Sequence, residues 1–285
     1  MTADARIERL KPFLVCPGCG GSLAWEREAA SCQGCAARYP VRNGRIYFVS
    51  VPDRSDELDE VKGKLKHLLG RKYYTIGVRV LAPTYPFNFG RYVRRFVDAG
   101  RCLVIDAGSG NNRVDEGMVC LDVFDYPEVD VVCNLDSLPF REGSVDAFVS
   151  RSVLEHVSDP WKIVSEFLRC TRPGGLGLHV IPFLFPLHAS PADFHRFSHA
   201  GAARLFEGWR VLEQVNVTGP VTAALLCSIE FFSSLLGGGH PRLKAWLYLI
   251  FCLVLFPVKY LDFPFVGRKR FAGLAPSLLT VVRKP

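Results

Sequence analysis

The 285-residue sequence predicts an α/β protein built on a parallel, doubly wound sheet. A small cysteine-rich module precedes the sheet, and an apolar insertion comes before its last strand. Three observations carry this reading. Short apolar runs recur from residue 102 onward, some separated by helical patterns; two C-x-x-C pairs lie within the first 35 residues; and a strongly apolar stretch occupies residues 220–266. With 49% hydrophobic and 22% charged residues the chain is neither disordered nor a disulfide scaffold.

The start, MTADARIERLKPFLV, places Asp4 and Glu8 ahead of a short apolar run. It lacks the basic start and long apolar core of a secretory signal, so a cytoplasmic location is expected. In a reducing compartment ten cysteines are poor disulfide candidates. Cys16-Pro-Gly-Cys19 and Cys32-Gln-Gly-Cys35 instead form two knuckles with twelve residues between them. Each knuckle can aim two thiolates at one tetrahedral ion, with Gly18, Gly20, Gly21 and Gly34 supplying backbone freedom. Two pairs close a four-sulfur Zn²⁺ site with no open position, which marks a structural metal. A redox C-x-x-C explains one pair but not two. A module of about 45 residues buries too little surface to fold unaided, so metal would supply most of its folding free energy. Residues 1–50 are assigned to this module.

Residues 51–99 read as a helical connector or lid. SDELDEVKGKLKHLLG predicts an exposed helix over 55–69, and residues 89–100 have a helical pattern closed by Gly100. The main domain spans 100–285. Its strands are expected at Cys102–Asp106, Met118–Asp122, Val129–Cys133, Val145–Ser150, Gly177–Ile181, Val211–Val217 and Ser277–Val282, with a helix at Pro160–Cys170.

The first of these strands runs into Asp106-Ala-Gly108-Ser-Gly110. Glycines at a strand's C-terminal end let a ligand approach the backbone, which suits a nucleotide-like cofactor at the switch point of the sheet. The dinucleotide fingerprint wants a third glycine where Arg113 stands, and an acid about 20 residues on, so NAD is disfavoured. Asp122, at the end of the next strand, can accept hydrogen bonds from both ribose hydroxyls of an adenosyl group. Asp125 is the fallback.

Further on come Asn134-Leu-Asp136-Ser-Leu138-Pro-Phe140, then Val153-Leu-Glu155-His156-Val157 with Asp159-Pro160, and Arg172-Pro-Gly-Gly175. With the glycine loop, this ordered series resembles the class I S-adenosylmethionine-dependent methyltransferases, particularly the type 11 group, over roughly residues 100–217. The resemblance implies a Rossmann-like sheet with Gly108 and Gly110 beside the cofactor's methionine end and Asp106 orienting its amino group. It places Asp122 on the ribose, and Asp136 with Leu138 at the adenine. The first 50 residues resemble the small zinc-ribbon family that activates RNA and protein methyltransferases, through LVCPGCGGSL, the second cysteine pair, Arg38-Tyr-Pro-Val41 and Asn43-Gly44. That resemblance implies a stabilising activator fused to its methyltransferase.

One departure stands out. Too few residues separate the first three strands of the main domain for the usual crossover helices, so these must shrink to turns. The zinc module or residues 55–100 would then have to cover that side of the sheet, and deleting residues 1–50 would weaken cofactor binding.

Methyl transfer needs an aligned acceptor and exclusion of water; a base is required only when the acceptor is a hydroxyl. The segment after Ile181 sets polar groups among aromatics, and its His188, Asp193 and Arg196 resemble the post-sheet loop of some type 11 relatives. His188 and His195, with Asp193, are the catalytic candidates. An Asp193–Arg196 pair could instead pin the loop, and His156 shapes the pocket.

The net charge of +7 is concentrated in residues 241–285, where eight basic residues face Asp262 alone; the other 240 residues are neutral. The basic groups bracket Ala245–Val258, a 14-residue apolar run too short by itself for a confident membrane span. Basic flanks around an apolar segment resemble attraction to an anionic membrane surface more than a stripe tracking phosphates; the leading reading of the run is a buried core helix or a cover over the site, followed by peripheral membrane contact and last by a true span. The expected function is methylation of a small or lipid-linked hydrophobic acceptor. RNA or protein methylation remains open, although the neutral body weighs against nucleic acid. A non-catalytic adaptor that keeps the fold is the reading from another class.

Overall fold

The computed structural model describes residues 3–52, 77, 80–188 and 192–285. The helix expected at 55–69 lies outside them.

The cysteine module supplies helix α1 (Ala3–Leu10) and strands β1 (Leu23–Trp25), β2 (Ala29–Cys32), β3 (Arg38–Arg42) and β4 (Arg45–Tyr47). Strands β3 and β4 form a hairpin in which Asn43-Gly44 makes the two-residue loop, with φ of 52° and 70°. Positive φ at both central positions matches the twist of the flanking strands, which is why Asn-Gly stands there. The helical pattern at 89–100 yields only α2 (Phe89–Val93), followed by turns.

The main sheet is built from β5 (Val104–Ala107), β6 (Val119–Asp122), β7 (Val131–Val132), β8 (Val145–Arg151), β9 (Thr171–Pro182), β10 (Arg210–Asn216) and β11 (Ser277–Arg283). Helix α3 (Pro160–Cys170) joins β8 to β9, with Asp159 capping its first turn through Lys162 N. Helix α4 (His199–Leu205) precedes β10. The strands and α3 fall on the apolar runs that announced them, whereas α4 had no announcing pattern. Strands β5 to β9 pair in parallel, whereas β11 lies antiparallel between β9 and β10.

The sheet does not stop at β7. Strand β4 of the cysteine module pairs in parallel with β7, Ile46 opposite Val131, so the order runs β1-β2-β3-β4-β7-β6-β5-β8-β9-β11-β10. The module therefore covers an edge that would otherwise expose unpaired backbone groups.

Residues 108–118 and 123–130 contain turns and bends but no helix, as their lengths require. Two earlier segments take the place of the missing crossovers. On one face Ile7, Leu10 and Leu14 of the module share a core with Leu103, Ile105, Val119 and Leu121; Phe167 of α3 belongs to the same cluster. On the other face Phe89, Tyr92 and Val93 of α2 pack with Val104, Met118 and Val149.

Arg113, where the dinucleotide fingerprint would have its third glycine, is buried and donates to the carbonyls of Met118 (2.6 Å) and Glu128 (2.6 Å) and to Asp130. Asp130 also accepts from Cys120 N (2.9 Å) and from Arg6 Nε of α1 (2.7 Å). The arginine thus organises the short β5–β6 connection and helps tie α1 to the sheet.

The apolar insertion is a helical hairpin of α5 (Pro220–Gly237) and α6 (Pro241–Leu255), continued by a 3₁₀ segment, Phe256–Asp262. Gly238 and Gly239, at φ 55° and 83°, make the turn at its tip. Its base is fixed by two buried charges. Asp262 accepts from the backbone N–H of Gly219, Val221 and Thr222 at the start of α5, at 2.9–3.0 Å. Lys259 donates to the carbonyls of Val80 (2.6 Å) and Ala82 (2.7 Å). Both Pro220–Gly237 and the continuous stretch Pro241–Asp262 are long and apolar enough to cross a membrane, and only 33% and 17% of them are buried. That exposure does not fit a core helix.

Candidate active site

Strand β5 delivers Asp106 into the interior, where it is fully buried and neither carboxylate oxygen has a hydrogen-bond partner. Burial pushes its pKa up to about 6, against the opposing pull of Arg151 and Arg113. Arg151 Nη2, at the end of β8, lies 3.6 Å from Asp106 Oδ2. The chain then turns through Gly108 and Gly110, at φ 68° and 58°. A Cβ on Gly108 would lie 2.5 Å from Val153 Cγ2, whereas one on Gly110 would meet nothing within 4 Å. Gly108 is therefore required by both backbone angle and packing, while Gly110 leaves the loop open on its outer side.

Asp122, at the end of β6, accepts from Gly110 N (2.9 Å) and from Phe124 N (3.0 Å). It locks the glycine loop. A carboxylate has about four acceptor positions, so this bracing is compatible with holding a pair of hydroxyls. The fallback, Asp125, is engaged by the cysteine module: Arg45 Nη1 lies 2.6 Å away and Tyr47 donates its hydroxyl at 2.8 Å. Asp136 is exposed and 3.2 Å from Lys162 Nζ. Leu138 is buried, and its backbone N–H donates to Glu166 (2.8 Å).

After β8, Ser152 takes a positive φ of 53° and the chain passes through Val153 and Leu154 to Glu155 and His156. Glu155 is fully buried, with neither oxygen hydrogen-bonded. His156 Nε2 lies 3.8 Å and His188 Nε2 3.6 Å from Glu155 Oε1. Asp193 Oδ2 accepts from His188 N (2.9 Å) and from Arg196 Nη2 (2.6 Å). Burial opposes the ionised form of Asp193, but Arg196 and the His188 N–H hold its pKa at about 2. The Asp193–Arg196 pair does pin the loop. His195 is half-buried, with Nε2 3.3 Å from the Ser158 carbonyl oxygen and its ring edge-on to Trp161.

Sequence reasoning assigned no role to Glu155, Arg151 or the bracing by Arg113. Glu155 carried one legible signal, an acid beside a histidine immediately after an apolar strand. The role of Arg113 depends on contacts with residues up to 107 positions away in α1 through Asp130, which no local pattern records.

In the cysteine module Cys16 Sγ is 3.6 Å from Cys35 Sγ, Cys19 Sγ is 3.4 Å from Cys32 Sγ, and all four lie within 4.8 Å of one another. A tetrahedral site with Zn–S bonds of about 2.3 Å has sulfurs about 3.8 Å apart. A Cβ on Gly21 would stand 3.1 Å from Cys32 Sγ and 3.2 Å from Cys19 Sγ. The set fits a four-thiolate zinc centre.

Residues 94–178 match the family model of the methyltransferase domain, type 11. The match to the methyltransferase domain is confined to this segment. An uncharacterized methyltransferase of Mycobacterium sp. (strain KMS) is 60% identical over 42 residues, 15% of this chain and 17% of that protein. Another, of Mycobacterium avium (strain 104), is 36% identical over 90 residues, 31% of this chain and 34% of its own. The matched stretches thus span between about a sixth and a third of those relatives. Among solved structures, the complex between the Haloferax volcanii Trm112 methyltransferase activator and a methyltransferase overlays with a TM-score of 0.44 at 20% identity, covering 82% of this chain and 100% of that one. Within the matched segment, the glycine loop, Asp106 and Asp122 lie at the C-terminal ends of β5 and β6, followed in sequence by the Glu155–His156 turn after β8.

Proposed function

We propose that this chain is an S-adenosylmethionine-dependent methyltransferase acting on a small or lipid-linked hydrophobic acceptor at a membrane surface, with Zn²⁺ held structurally by Cys16, Cys19, Cys32 and Cys35. The observation that carries the methyltransferase reading is the site at the end of β5. There a buried carboxylate without a hydrogen-bond donor precedes a glycine loop braced by the acid of the next strand. Asp106 suits the cofactor's ammonium and Asp122 its ribose hydroxyls. Gly108 and Gly110 would let the backbone approach its methionine end, and Asp136 and Leu138 would border the adenine.

The cofactor supplies an already activated sulfonium methyl group. The protein's task is then to align the acceptor atom and exclude water. For a hydroxyl acceptor, His188 or His195 takes the proton, with Asp193 fixing the position of His188. The acceptor class follows from the hairpin: Phe231, Leu235, Trp246, Leu253, Val254, Leu261 and Phe263 are all exposed, Phe263 by 77%. Arg242, Lys244 and the run Arg268-Lys269-Arg270 lie on the same part of the chain. An apolar surface edged by cations matches an anionic bilayer surface.

Calorimetric binding of S-adenosylmethionine and S-adenosylhomocysteine to the zinc-loaded protein tests the cofactor site. Micromolar binding is expected, lost in Asp122→Ala and weakened in Asp136→Ala. No binding by folded, zinc-loaded protein would refute it and favour an adaptor.

A further inference from the structure

The described residues contain a second group of donors able to hold a metal ion, and it shares nothing with the cysteine centre. One ligand atom from each of Glu155, His156 and His188 lies within 4.8 Å of the others, with Glu155 Oε1 3.8 Å from His156 Nε2 and 3.6 Å from His188 Nε2. Glu155 is 0% exposed, neither of its oxygens has a hydrogen-bond partner, and both histidine nitrogens face it. A buried carboxylate without a donor is costly unless a cation or a proton satisfies it. We propose that Glu155, His156 and His188 bind a divalent transition-metal ion such as Zn²⁺ between the post-β8 turn and the post-β9 loop.

The outer contacts of both rings fit ligation through Nε2. His156 Nδ1 is 2.5 Å from the Ala192 carbonyl oxygen, so it carries the proton and leaves the Nε2 lone pair directed at the cluster. His188 Nδ1 lies 3.2 Å from the Pro186 carbonyl oxygen and 3.4 Å from Asp193 Oδ2. Arg196 Nη2 also comes within 3.4 Å of that nitrogen, but it is already committed to Asp193 Oδ2 at 2.6 Å and Pro186 O at 3.1 Å. Two acceptors against one occupied donor put the proton on Nδ1. Metal-bound histidines characteristically donate their other N–H to a carbonyl or carboxylate in this way. The rings stand edge to face, centroids 5.0 Å apart, so both lone pairs converge without stacking.

Donors around a four-coordinate zinc with bonds of 2.0–2.1 Å sit about 3.3 Å apart. The separations to Glu155, 3.6 and 3.8 Å, need a contraction of only a few tenths of an ångström. Two imidazoles and one carboxylate leave at least one position open to an oxygen ligand. An acceptor hydroxyl in that position would lose its proton more readily, which joins the metal to the methyl-transfer reading given above; with His188 committed to the metal, the released proton passes to solvent or to His195 and not to His188. Metal binding itself does not depend on that reading.

Metal titration of the full-length chain decides the matter, because the two centres differ in ligand chemistry. Co²⁺ at four thiolates gives sulfur-to-metal charge-transfer absorption; Co²⁺ at nitrogen and oxygen does not. The chelator-treated protein is expected to take two equivalents of Co²⁺ or Zn²⁺, the second without added charge transfer. His188→Ala, at a side chain 34% exposed, should lose that second equivalent and keep the thiolate signal. Glu155→Gln should do the same, and Cys19→Ser should lose the thiolate signal and keep the other. Asp193→Asn, which weakens the Arg196 pair and the support of His188 but removes no ligand, should weaken the second site by about 10- to 100-fold. A single equivalent with a thiolate spectrum in the wild type would overturn the proposal, as would a second equivalent that survives both His188→Ala and Glu155→Gln. These readouts need neither cofactor nor acceptor, so they stand apart from the calorimetric test of the methyltransferase site.

Discussion

Asp106 is subject to two opposed demands on its proton. In the unliganded protein burial raises its pKa from 3.8 to about 6, with Arg151, Arg113, Asp122 and Cys120 as the neighbouring ionisable groups. A raised carboxylate favours the fold most below its unfolded pKa, and that contribution is lost as pH rises through about 6. A cationic ammonium needs the ionised form. Affinity for S-adenosylmethionine should therefore be flat above pH 6 and fall on acidification, approaching about tenfold per pH unit. Calorimetry between pH 5 and pH 8 measures this. An affinity independent of pH over that range would remove Asp106 from the ammonium site. Asp106→Asn should bind weakly at every pH and lose the dependence.

At the scale of elements, the cysteine module is less autonomous than its length implies. A segment of this size is expected to owe its folding chiefly to metal, yet Ile7, Leu10, Leu14, Ile46 and Phe48 belong to the main core, and β4 is a strand of the main sheet. Apolar burial and ladder hydrogen bonds from the larger domain add to the metal's contribution. Removing zinc, by Cys19→Ser or Cys32→Ser, should thus release the thiolate-bound ion and loosen the knuckles while α1 and β4 stay in place. Hydrogen exchange would show this as lost protection over residues 16–35 with protection retained at Leu10 and Phe48. Uniform loss across residues 3–48 would mean that the metal does carry the module. The same sharing explains how the short β5–β6 and β6–β7 connections are tolerated, since α1 and α2 occupy the faces that crossover helices would cover.

Across the whole molecule, the helical hairpin and the positive charge act together. The base of the hairpin is held by Asp262 and Lys259, both fully buried, which leaves its apolar sides exposed beside the basic run. Reversing Arg268, Lys269 and Arg270 to glutamate should weaken partition onto anionic vesicles by at least roughly a hundredfold, at about 1 kcal/mol for each basic residue near the surface. Binding to neutral vesicles should change little. Flotation of wild type and variant with both vesicle types is the measurement. Equal flotation of the two proteins on anionic vesicles would separate the basic cluster from the membrane.

Local sequence determined what local physics controls. Apolar periodicity located the main-sheet strands and α3, residue counts forced the first crossovers to turns, Asn43-Gly44 makes a hairpin, and the paired knuckles bring four sulfurs together. The glycine loop was equally legible, because a strand end that needs φ > 0 admits few residue types. Other features required the folded chain, since they join residues far apart in sequence. These include the parallel pairing of Ile46 with Val131, the bridge from Arg113 through Asp130 to Arg6, and the cluster of Glu155 and His156 with His188. The hairpin lies between the two. Its apolarity and charge were plain in the sequence, but only tertiary packing decided that its base is anchored by buried ions and its sides are left uncovered.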